Sequence, residues 1–253
     1  MQVAAQSLCV PGLVGVLGGM GPLATIDFMH KVLDLTPALR DQDHVPLLVS
    51  SIPQIPDRTA AFRGDGASPL AAMIVNGQRL VHAGAGLVVI PCNTAHLWFA
   101  EIEAALQVPM LHLVDAAIED ATASVAPGAA IGLLGTDATL ASGLYFNRVP
   151  SQGAAPVCWT LPTATEMMEL VMPGIAAVKA GALAQGRELL GSAAQALVRR
   201  GAQALVLGCT EIPLVLGAAN SPVPVIDATV SLARRTVAWS LAQRQHAVTL
   251  APG

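Results

Sequence analysis

An internal repeat at one fixed spacing constrains the fold of this chain more than any other feature of its sequence. Residues 15–18 (Gly-Val-Leu-Gly) return as residues 132–135 (Gly-Leu-Leu-Gly), and the apolar run that ends at Cys92 returns as the run that ends at Cys209. Both pairs are separated by 117 positions, and no gap is needed between them. Because one spacing held over so long a stretch is not expected by chance, the chain is predicted to form two similar lobes.

Each half of the chain shows the same order of predicted strands and helices. A short apolar run bounded by glycine, residues 13–17 or 130–134, is typical of a strand that is buried on both faces. A helical pattern over residues 69–83 or 186–200 then leads into the run that ends at a cysteine. Strands that alternate with helices form parallel sheets with helices on both faces. We therefore predict an α/β fold of two lobes related by pseudo-twofold symmetry, each a mostly parallel sheet flanked by helices.

The order of the elements also predicts the boundaries of the lobes. The first lobe, which carries Cys92, is predicted to comprise residues 1–114 and 225–253, and the second lobe, which carries Cys209, residues 115–224. On topology alone, the last strand and the last helix are expected to fold back together onto the first lobe.

The composition limits the partners and the compartment that we expect for this chain. Its 253 residues are 53% hydrophobic and 12% charged, and its net charge of −4 comes from scattered residues, so no nucleic-acid partner is expected. No Lys or Arg precedes Lys31, and prolines break the apolar stretch before it, so we expect neither a signal peptide nor a membrane span. Four dispersed cysteines do not form a disulfide framework, which favours a reduced, cytoplasmic protein with free thiols.

Cys92 and Cys209 hold positions that suit catalysis. Ligands of parallel α/β sheets bind beyond the carboxyl ends of the strands, and each of these cysteines follows a predicted strand. Asn93 and Thr210 come next, and both are favoured N-cap residues. Each thiol is therefore predicted to lie at a helix N-terminus, which favours the thiolate form and attracts carboxylates.

Two thiols at equivalent positions of a repeat suit the inversion of a stereocentre. A lone cysteine is more often a buried structural thiol, and Cys9 and Cys158, which lack this context, are interpreted as incidental. A small molecule held between the lobes would meet one thiol on each face, so that one removes Hα as a base while the other delivers a proton as an acid. The sequence therefore predicts catalysis by the pair of Cys92 and Cys209.

Four short motifs add a family resemblance to this prediction. They are residues 18–22 (Gly-Gly-Met-Gly-Pro), 55–59 (Ile-Pro-Asp-Arg-Thr), 90–96 (Ile-Pro-Cys-Asn-Thr-Ala-His) and 208–211 (Gly-Cys-Thr-Glu). Together they resemble the aspartate/glutamate racemase superfamily, in particular its aspartate racemase branch. The resemblance implies a two-lobed homodimer that racemises a dicarboxylic amino acid, aspartate first of all, without pyridoxal phosphate or metal. The glutamate branch usually has His after the second Cys-Thr, where this chain has Glu211.

The same resemblance implies which residues contact the substrate. Arg58 matches a basic residue that binds the side-chain carboxylate, a task that suits the planar guanidinium group. Lys179 is the second basic candidate, while His96 and Glu211 are assigned supporting roles. The predicted substrate-binding set is Met20, Arg58, Asn93, Thr94, Thr136, Lys179 and Thr210. Each of these four residues also has a purely structural interpretation. Arg58 would be a surface arginine, and Lys179 an exposed lysine at a helix end. His96 would be a buried histidine, and Glu211 a carboxylate at a helix start.

Several other functions stay open at this point. A glutamate racemase, a broad-specificity amino-acid racemase or a hydantoin racemase would belong to the same superfamily, and a maleate isomerase or an arylmalonate decarboxylase would need only one cysteine. A non-catalytic two-lobed protein that binds small acids would need neither thiol, so cysteine reactivity distinguishes it from an enzyme. The sequence lacks the spacing Gly-x-Gly-x-x-Gly of dinucleotide sites and the spacings Cys-x-x-Cys and His-Glu-x-x-His of metal sites. No cofactor or metal is therefore predicted.

Overall fold

Two separate four-stranded sheets form the centre of the molecule. The computed structural model describes residues 10–148 and 157–250, so the interpretation of Cys9 falls outside the described residues. The first sheet contains β1 (Val14–Gly18), β2 (Leu47–Ser51), β3 (Leu87–Val89) and β4 (Met110–Leu111). The second sheet contains β5 (Ala130–Gly135), β6 (Cys158–Thr160), β7 (Ala204–Gly208) and β8 (Val225–Asp227).

Ten α-helices connect and cover these strands in the described part of the chain. They are α1 (Pro22–Leu35), α2 (Arg58–Arg63), α3 (Leu70–His82), α4 (Phe99–Leu106), α5 (Leu113–Ser124), α6 (Asp137–Ala141), α7 (Ala164–Glu166), α8 (Met172–Lys179), α9 (Leu183–Arg199) and α10 (Ala228–Leu250). One π-helical turn, Met167–Val171, joins α7 to α8. Across residues 10–148 and 157–250, none of the helices combines the length and the apolar character that crossing a membrane requires.

The two sheets have the same strand order, and every pairing in them is parallel. The order is β2-β1-β3-β4 in the first sheet and β6-β5-β7-β8 in the second. Val14 of β1 lies between Leu47 and Leu87 of its two neighbours, and Ile131 of β5, 117 positions later, holds the same central place. The predicted fold class, two similar parallel α/β lobes, is confirmed.

The last strand does not lie where the topology argument placed it. β8 pairs with β7, with Ile226 opposite Val206, so it belongs to the second sheet and the prediction that it folds back onto the first lobe is wrong. The repeat supplies the reason, because β8 takes the edge position in the second sheet that β4 takes in the first. The helix that follows, α10, does pack against α1 of the first lobe. We therefore propose a lobe boundary after Asp227 instead of before Val225.

A shared hydrophobic core joins the two lobes. Val16 of β1, Leu133 of β5 and Leu232 of α10 are buried in one cluster, which also contains residues of α1 and α5. Each sheet has a separate core on its other face, around Met73 in the first lobe and Leu197 in the second. Apolar burial on both faces explains why the strands are continuous hydrophobic runs. It also fixes the sheets so that their carboxyl ends face a common site.

Candidate active site

A small cavity lies where the carboxyl ends of the two sheets meet. Cys92 follows β3 and Cys209 follows β7, so equivalent turns of the two lobes contribute one thiol each. The cavity has a volume of about 20 Å³, close to the space that one water molecule needs. It is lined by Met20, Asp57, Arg58, Thr59, Cys92, Asn93, Thr94, Thr136, Lys179, Cys209, Thr210 and Glu211. Every residue of the predicted site except His96 is in this lining.

Both thiols are buried, and a carboxylate stands beside one of them. Cys92 and Cys209 are each 6% exposed. The Cys209 thiol donates a hydrogen bond to Oε2 of Glu211 at 3.0 Å. Burial raises the pKa of Cys209, the negative charge of Glu211 raises it further, and the positive charge of Lys179 lowers it. The net result is a pKa well above the ordinary value, so the protonated form of this thiol is favoured.

Arg58 is a buried cation that is held mainly by backbone oxygens. Arg58 is 8% exposed and is the first residue of α2. Nη1 donates to the carbonyl oxygens of Ile55 at 3.2 Å and Pro56 at 2.9 Å, and Nη2 donates to that of Met20 at 3.2 Å. The buried Nε has no hydrogen-bond partner within the described chain. A buried donor without a partner is what an anion-binding site requires before its ligand arrives.

Lys179 brings a second positive charge to the cavity from the end of α8. Burial lowers the pKa of its ammonium group, but the negative charges nearby, that of Glu211 first and also that of Asp57, outweigh that effect and raise the pKa. The side chain is therefore protonated at neutral pH. Among the described residues no hydrogen bond or close ion pair holds it in one place, so it is available to a substrate carboxylate.

Asn93 offers a second free donor next to Cys92. Its Oδ1 accepts a hydrogen bond from the hydroxyl of Tyr145 at 2.6 Å, which fixes the orientation of the amide. Its Nδ2 is buried and has no partner in the described part of the chain. Tyr145 is fully buried, and burial raises the pKa of its phenol, so the hydroxyl stays protonated and keeps donating.

Three threonine hydroxyls link the lobes at the same cavity. Thr94 of the first lobe lies 3.1 Å from Thr136 and 3.1 Å from Thr139 of the second, measured between Oγ1 atoms. Thr136 and Thr139 are 3.0 Å apart, and Thr136 also caps α6 by accepting from the backbone N–H of Thr139 at 3.1 Å. A hydroxyl can donate and accept, so the group can redirect hydrogen bonds toward a bound polar molecule.

Comparison with known proteins identifies a family for this chain. A family model described as Asp/Glu/Hydantoin racemase matches residues 17–236. The chain belongs to the Asp/Glu/Hydantoin racemase family. It is an amino-acid racemase, and therefore an isomerase, as the sequence predicted at this coarser level.

Three relatives illustrate what this racemase resembles. The broad specificity amino-acid racemase RacX of Bacillus subtilis is 30% identical over 236 residues, covering 91% of this chain and 99% of that protein. The structure of Picrophilus torridus aspartate racemase is 31% identical with a TM-score of 0.81, covering 90% of this chain and 94% of the other. Glutamate racemase from Francisella tularensis in complex with D-glutamate, at 14% identity and a TM-score of 0.62 over 91% and 81% of the chains, shares the fold.

His96 supports the racemase site from outside the cavity. Its Nδ1 lies 2.8 Å from the carbonyl oxygen of Cys92, and its Nε2 accepts from the backbone N–H of Leu113 at 3.1 Å. Because Nε2 accepts, the ring proton is on Nδ1 and points at the carbonyl. Burial lowers the pKa of His96 to about 4, so the ring is neutral at physiological pH. With both nitrogens engaged, this histidine holds the Cys92 turn against the start of α5.

The turns after the cysteines differ from the predicted helix starts. Asn93 precedes a short 3₁₀ helix, Thr94–Trp98, and makes no capping hydrogen bond with its side chain. In the second lobe Glu211, not Thr210, precedes the 3₁₀ helix Ile212–Leu214. The prediction that Asn93 and Thr210 cap α-helices is therefore wrong. These 3₁₀ helices of five and three residues align few peptide dipoles, so helix-dipole stabilisation of a thiolate is weak here.

The sequence analysis missed four residues that shape the site. Asp57 and Thr59 line the cavity on either side of Arg58, within a motif that had already been singled out. Tyr145 and Thr139 act through Asn93 and Thr94. Nothing local in the sequence points to these two, because their partners belong to the other lobe.

Proposed function

We propose that this racemase interconverts L- and D-aspartate by proton transfer between Cys92 and Cys209. The observation that carries the proposal is a pair of buried thiols, one from the equivalent turn of each lobe, lining a single cavity. Two cationic side chains, Arg58 and Lys179, line the same cavity. Thiols on two sides of a small acidic substrate are the arrangement that inversion of an α-carbon needs.

The proposed chemistry is a two-base inversion. One cysteine, as a thiolate, removes Hα, and the electron pair of the broken C–H bond stays on the substrate, delocalised into its α-carboxylate. The other cysteine, as a thiol, donates its proton to the opposite face of the α-carbon. The first sulfur ends as a thiol and the second as a thiolate, so the same pair can run the reverse reaction.

The free donors of the cavity suit the two carboxylates of aspartate. Nδ2 of Asn93, supported by the hydroxyls of Thr94, Thr136 and Thr210, is proposed to hold the α-carboxylate. Nε of Arg58 and Nζ of Lys179 are proposed to hold the side-chain carboxylate. Charge-assisted hydrogen bonds of this kind are about twice as strong as neutral ones, which favours a dicarboxylic substrate.

Broad amino-acid specificity is the second candidate. The relative from Bacillus subtilis, named as a broad specificity amino-acid racemase, matches nearly the whole chain. Arg58 donates three hydrogen bonds to backbone carbonyl oxygens. Fewer of its N–H groups therefore remain for a substrate side chain than a bidentate pairing with a carboxylate would use. Activity on glutamate or on neutral amino acids would support this candidate.

We also propose that the enzyme works as a homodimer and needs neither pyridoxal phosphate nor metal, as the family resemblance implies. In residues 10–148 and 157–250, no cluster of three His, Cys, Asp or Glu side chains is arranged to hold a metal ion. Full activity after treatment with EDTA and hydroxylamine, and a dimer mass in sedimentation, are the expected results. Loss of activity after either treatment, or a monomer mass, would contradict the respective part.

Exchange of Hα in D₂O tests the proposed reaction directly. The purified protein is incubated with L-aspartate, L-glutamate or L-alanine, and Hα loss by NMR is compared with the change in optical rotation. The wild type is expected to exchange and racemise aspartate fastest. The Cys92→Ser and Cys209→Ser proteins are expected to lose racemisation, with exchange at most from the surviving thiol. Cys158→Ser, which removes an exposed thiol, is the matched control and is expected to keep full activity.

Each outcome separates the candidates. Comparable rates for L-aspartate, L-glutamate and L-alanine would show a broad specificity instead of a preference for aspartate. Racemisation that survives either cysteine substitution would overturn the two-base mechanism. An absence of exchange with every amino acid would overturn the assignment of the substrate class.

A further inference from the structure

The pseudo-twofold symmetry of the site is broken two residues after each cysteine. Thr94 lies two residues after Cys92, and Glu211 lies two residues after Cys209. The two positions are 117 residues apart, so they are equivalent in the repeat although their residue types differ. The hydroxyl of Thr94 lies against two threonine hydroxyls of the second lobe. The carboxylate of Glu211 accepts a hydrogen bond from the thiol of Cys209 at 3.0 Å. The two thiols are equivalent in the fold and different in what stands beside them.

The carboxylate of Glu211 is confined to this place. Glu211 is 4% exposed, and Oε2 also accepts from the hydroxyl of Thr210 at 3.3 Å. On its other side, a Cβ atom added to Gly21 would lie 3.2 Å from Oε1, so the loop after β1 closes over the carboxylate. An ionised carboxylate only accepts hydrogen bonds and repels a neighbouring thiolate, so this contact favours the protonated form of the sulfur.

The other charged and titratable groups around Cys209 do not cancel this contact. They are Lys179 from α8, Tyr145 from the segment after α6, Asp57 and Arg58 from the start of α2, and Cys92 across the cavity. Lys179 lowers the pKa of Cys209, but burial and Glu211 have the larger effects and the pKa is raised. Within the described chain, no carboxylate accepts a hydrogen bond from Cys92.

We propose that Glu211 is a positioning residue that keeps the proton on Cys209 in the resting racemase, so that Cys92 acts first as the base. The inference rests on the proposed function, because it assigns the first roles within the same pair of thiols. In the first half-reaction the Cys92 thiolate takes Hα and becomes a thiol. The S–H bond of Cys209 then breaks, its proton goes to the opposite face of the carbanion, and a thiolate is left beside Glu211. That thiolate regains a proton from water while Cys92 loses one, which restores the resting form.

A preferred resting form has a consequence for the two enantiomers. The enantiomer whose Hα faces Cys92 binds to the prevalent form of the enzyme, and its mirror image needs the minor form. Because the equilibrium constant between enantiomers is one, kcat/KM must be the same in both directions. The preference can therefore change kcat and KM of one direction relative to the other only in the same proportion. Thiol reactivity therefore tests the proposal more directly than a comparison of the two directions.

Alkylation of the intact protein by iodoacetamide between pH 6 and 10 is the first test. Mass spectrometry of peptides follows Cys92 and Cys209 separately, with the exposed Cys158 as an internal reference. In the wild type Cys92 is expected to react faster than Cys209 at neutral pH. Glu211→Gln removes the charge, so Cys209 is expected to react about tenfold faster for each unit by which its pKa falls. Glu211→Asp keeps the carboxylate and is expected to stay near the wild type.

The pH dependence of racemisation is the second readout. In Glu211→Gln the alkaline limit of activity is expected at lower pH than in the wild type, because Cys209 loses its proton earlier. Glu188→Gln, an exposed carboxylate on α9, is the matched control and is expected to change neither profile. The proposal is overturned if Cys209 reacts as fast as Cys92 in the wild type, or if Glu211→Gln folds and leaves both profiles unchanged. Alkylation needs no turnover, so its result does not depend on which amino acid the enzyme racemises.

Discussion

At the scale of single residues, Arg58 and Lys179 supply positive charge to the cavity in different ways. Arg58 spends three hydrogen bonds on the carbonyl oxygens of Ile55, Pro56 and Met20, and thereby ties the loop after β1 to the start of α2. Lys179 makes no such bonds in the described chain. We therefore expect Arg58 to matter for both folding and binding, and Lys179 to matter mainly for binding.

Substitution of the two cations separates these roles. Lys179→Met is expected to raise the KM for aspartate about 10- to 100-fold, the value of one lost charge-assisted hydrogen bond, with little change in Tm. Arg58→Lys cannot reproduce the planar set of donors, so it is expected to lower both Tm and kcat/KM. Steady-state kinetics and thermal unfolding measure the two effects, with Arg187→Met on the exposed face of α9 as the control. A large loss of Tm in Lys179→Met alone would reverse the two assignments.

At the scale of elements, one partly buried lysine fastens α1 of the first lobe to β8 and α10. Nζ of Lys31 lies 2.6 Å from Oδ2 of Asp227 and 2.8 Å from Oγ1 of Thr229, and it also pairs with Asp27 one turn earlier in α1. Burial raises the pKa of Asp27, and the ammonium group of Lys31 offsets only part of that effect. The pair forms across the boundary that we propose after Asp227, so it helps to fix α10 on the first lobe.

Removal of this lysine is expected to destabilise the fold. Lys31→Met would leave the carboxylates of Asp27 and Asp227 facing each other without a cation, and the free energy of unfolding is expected to fall by about 2–3 kcal/mol. The double substitution Lys31→Met, Asp227→Asn removes one of those charges and is expected to recover part of the loss. Urea unfolding measures both, and Arg40→Met, which breaks an exposed ion pair with Asp43, serves as the control without a measurable change. Equal effects of Lys31→Met and Arg40→Met would contradict this account.

At the scale of the whole molecule, the cavity is too small for the proposed substrate. Its volume of about 20 Å³ holds about one water molecule, whereas pockets for small ligands usually measure about 300 Å³ or more. α2, which carries Arg58, closes the cavity from the first lobe and contacts α6 of the second. An ion pair between Arg63 and Asp137 joins these two helices at the surface. Substrate entry therefore requires α2 or the lobes to move apart.

Hydrogen exchange measures this opening. The backbone amides of α2 are expected to exchange faster than those of α3, which is packed in the core of the first lobe, and to slow down when aspartate is bound. Arg63→Ala removes the surface ion pair and is expected to accelerate exchange in α2 while α3 stays unchanged. Slow exchange in α2 both with and without substrate would show that the site opens elsewhere.

The sequence by itself determined the two lobes, their parallel sheets and the places of Cys92 and Cys209. A repeat of 117 residues imposes equivalent elements, and the hydrophobic period within each half identifies strands and helices because that information is local. It therefore also placed Cys92 and Cys209 at the ends of equivalent strands. The motif around Arg58 and the resemblance of the family supplied most of the cavity lining for the same reason, since each is a short contiguous segment.

Only the tertiary structure decided which partner each of these segments meets. β8 joins the second sheet while α10 packs on the first lobe, Tyr145 orients Asn93, and His96 holds the start of α5. Each of these contacts joins residues that are distant in sequence or belong to different lobes, and no local pattern encodes such a choice. The inequality of the two thiols has the same origin. The repeat makes Cys92 and Cys209 equivalent, and a carboxylate folded against one of them makes them different.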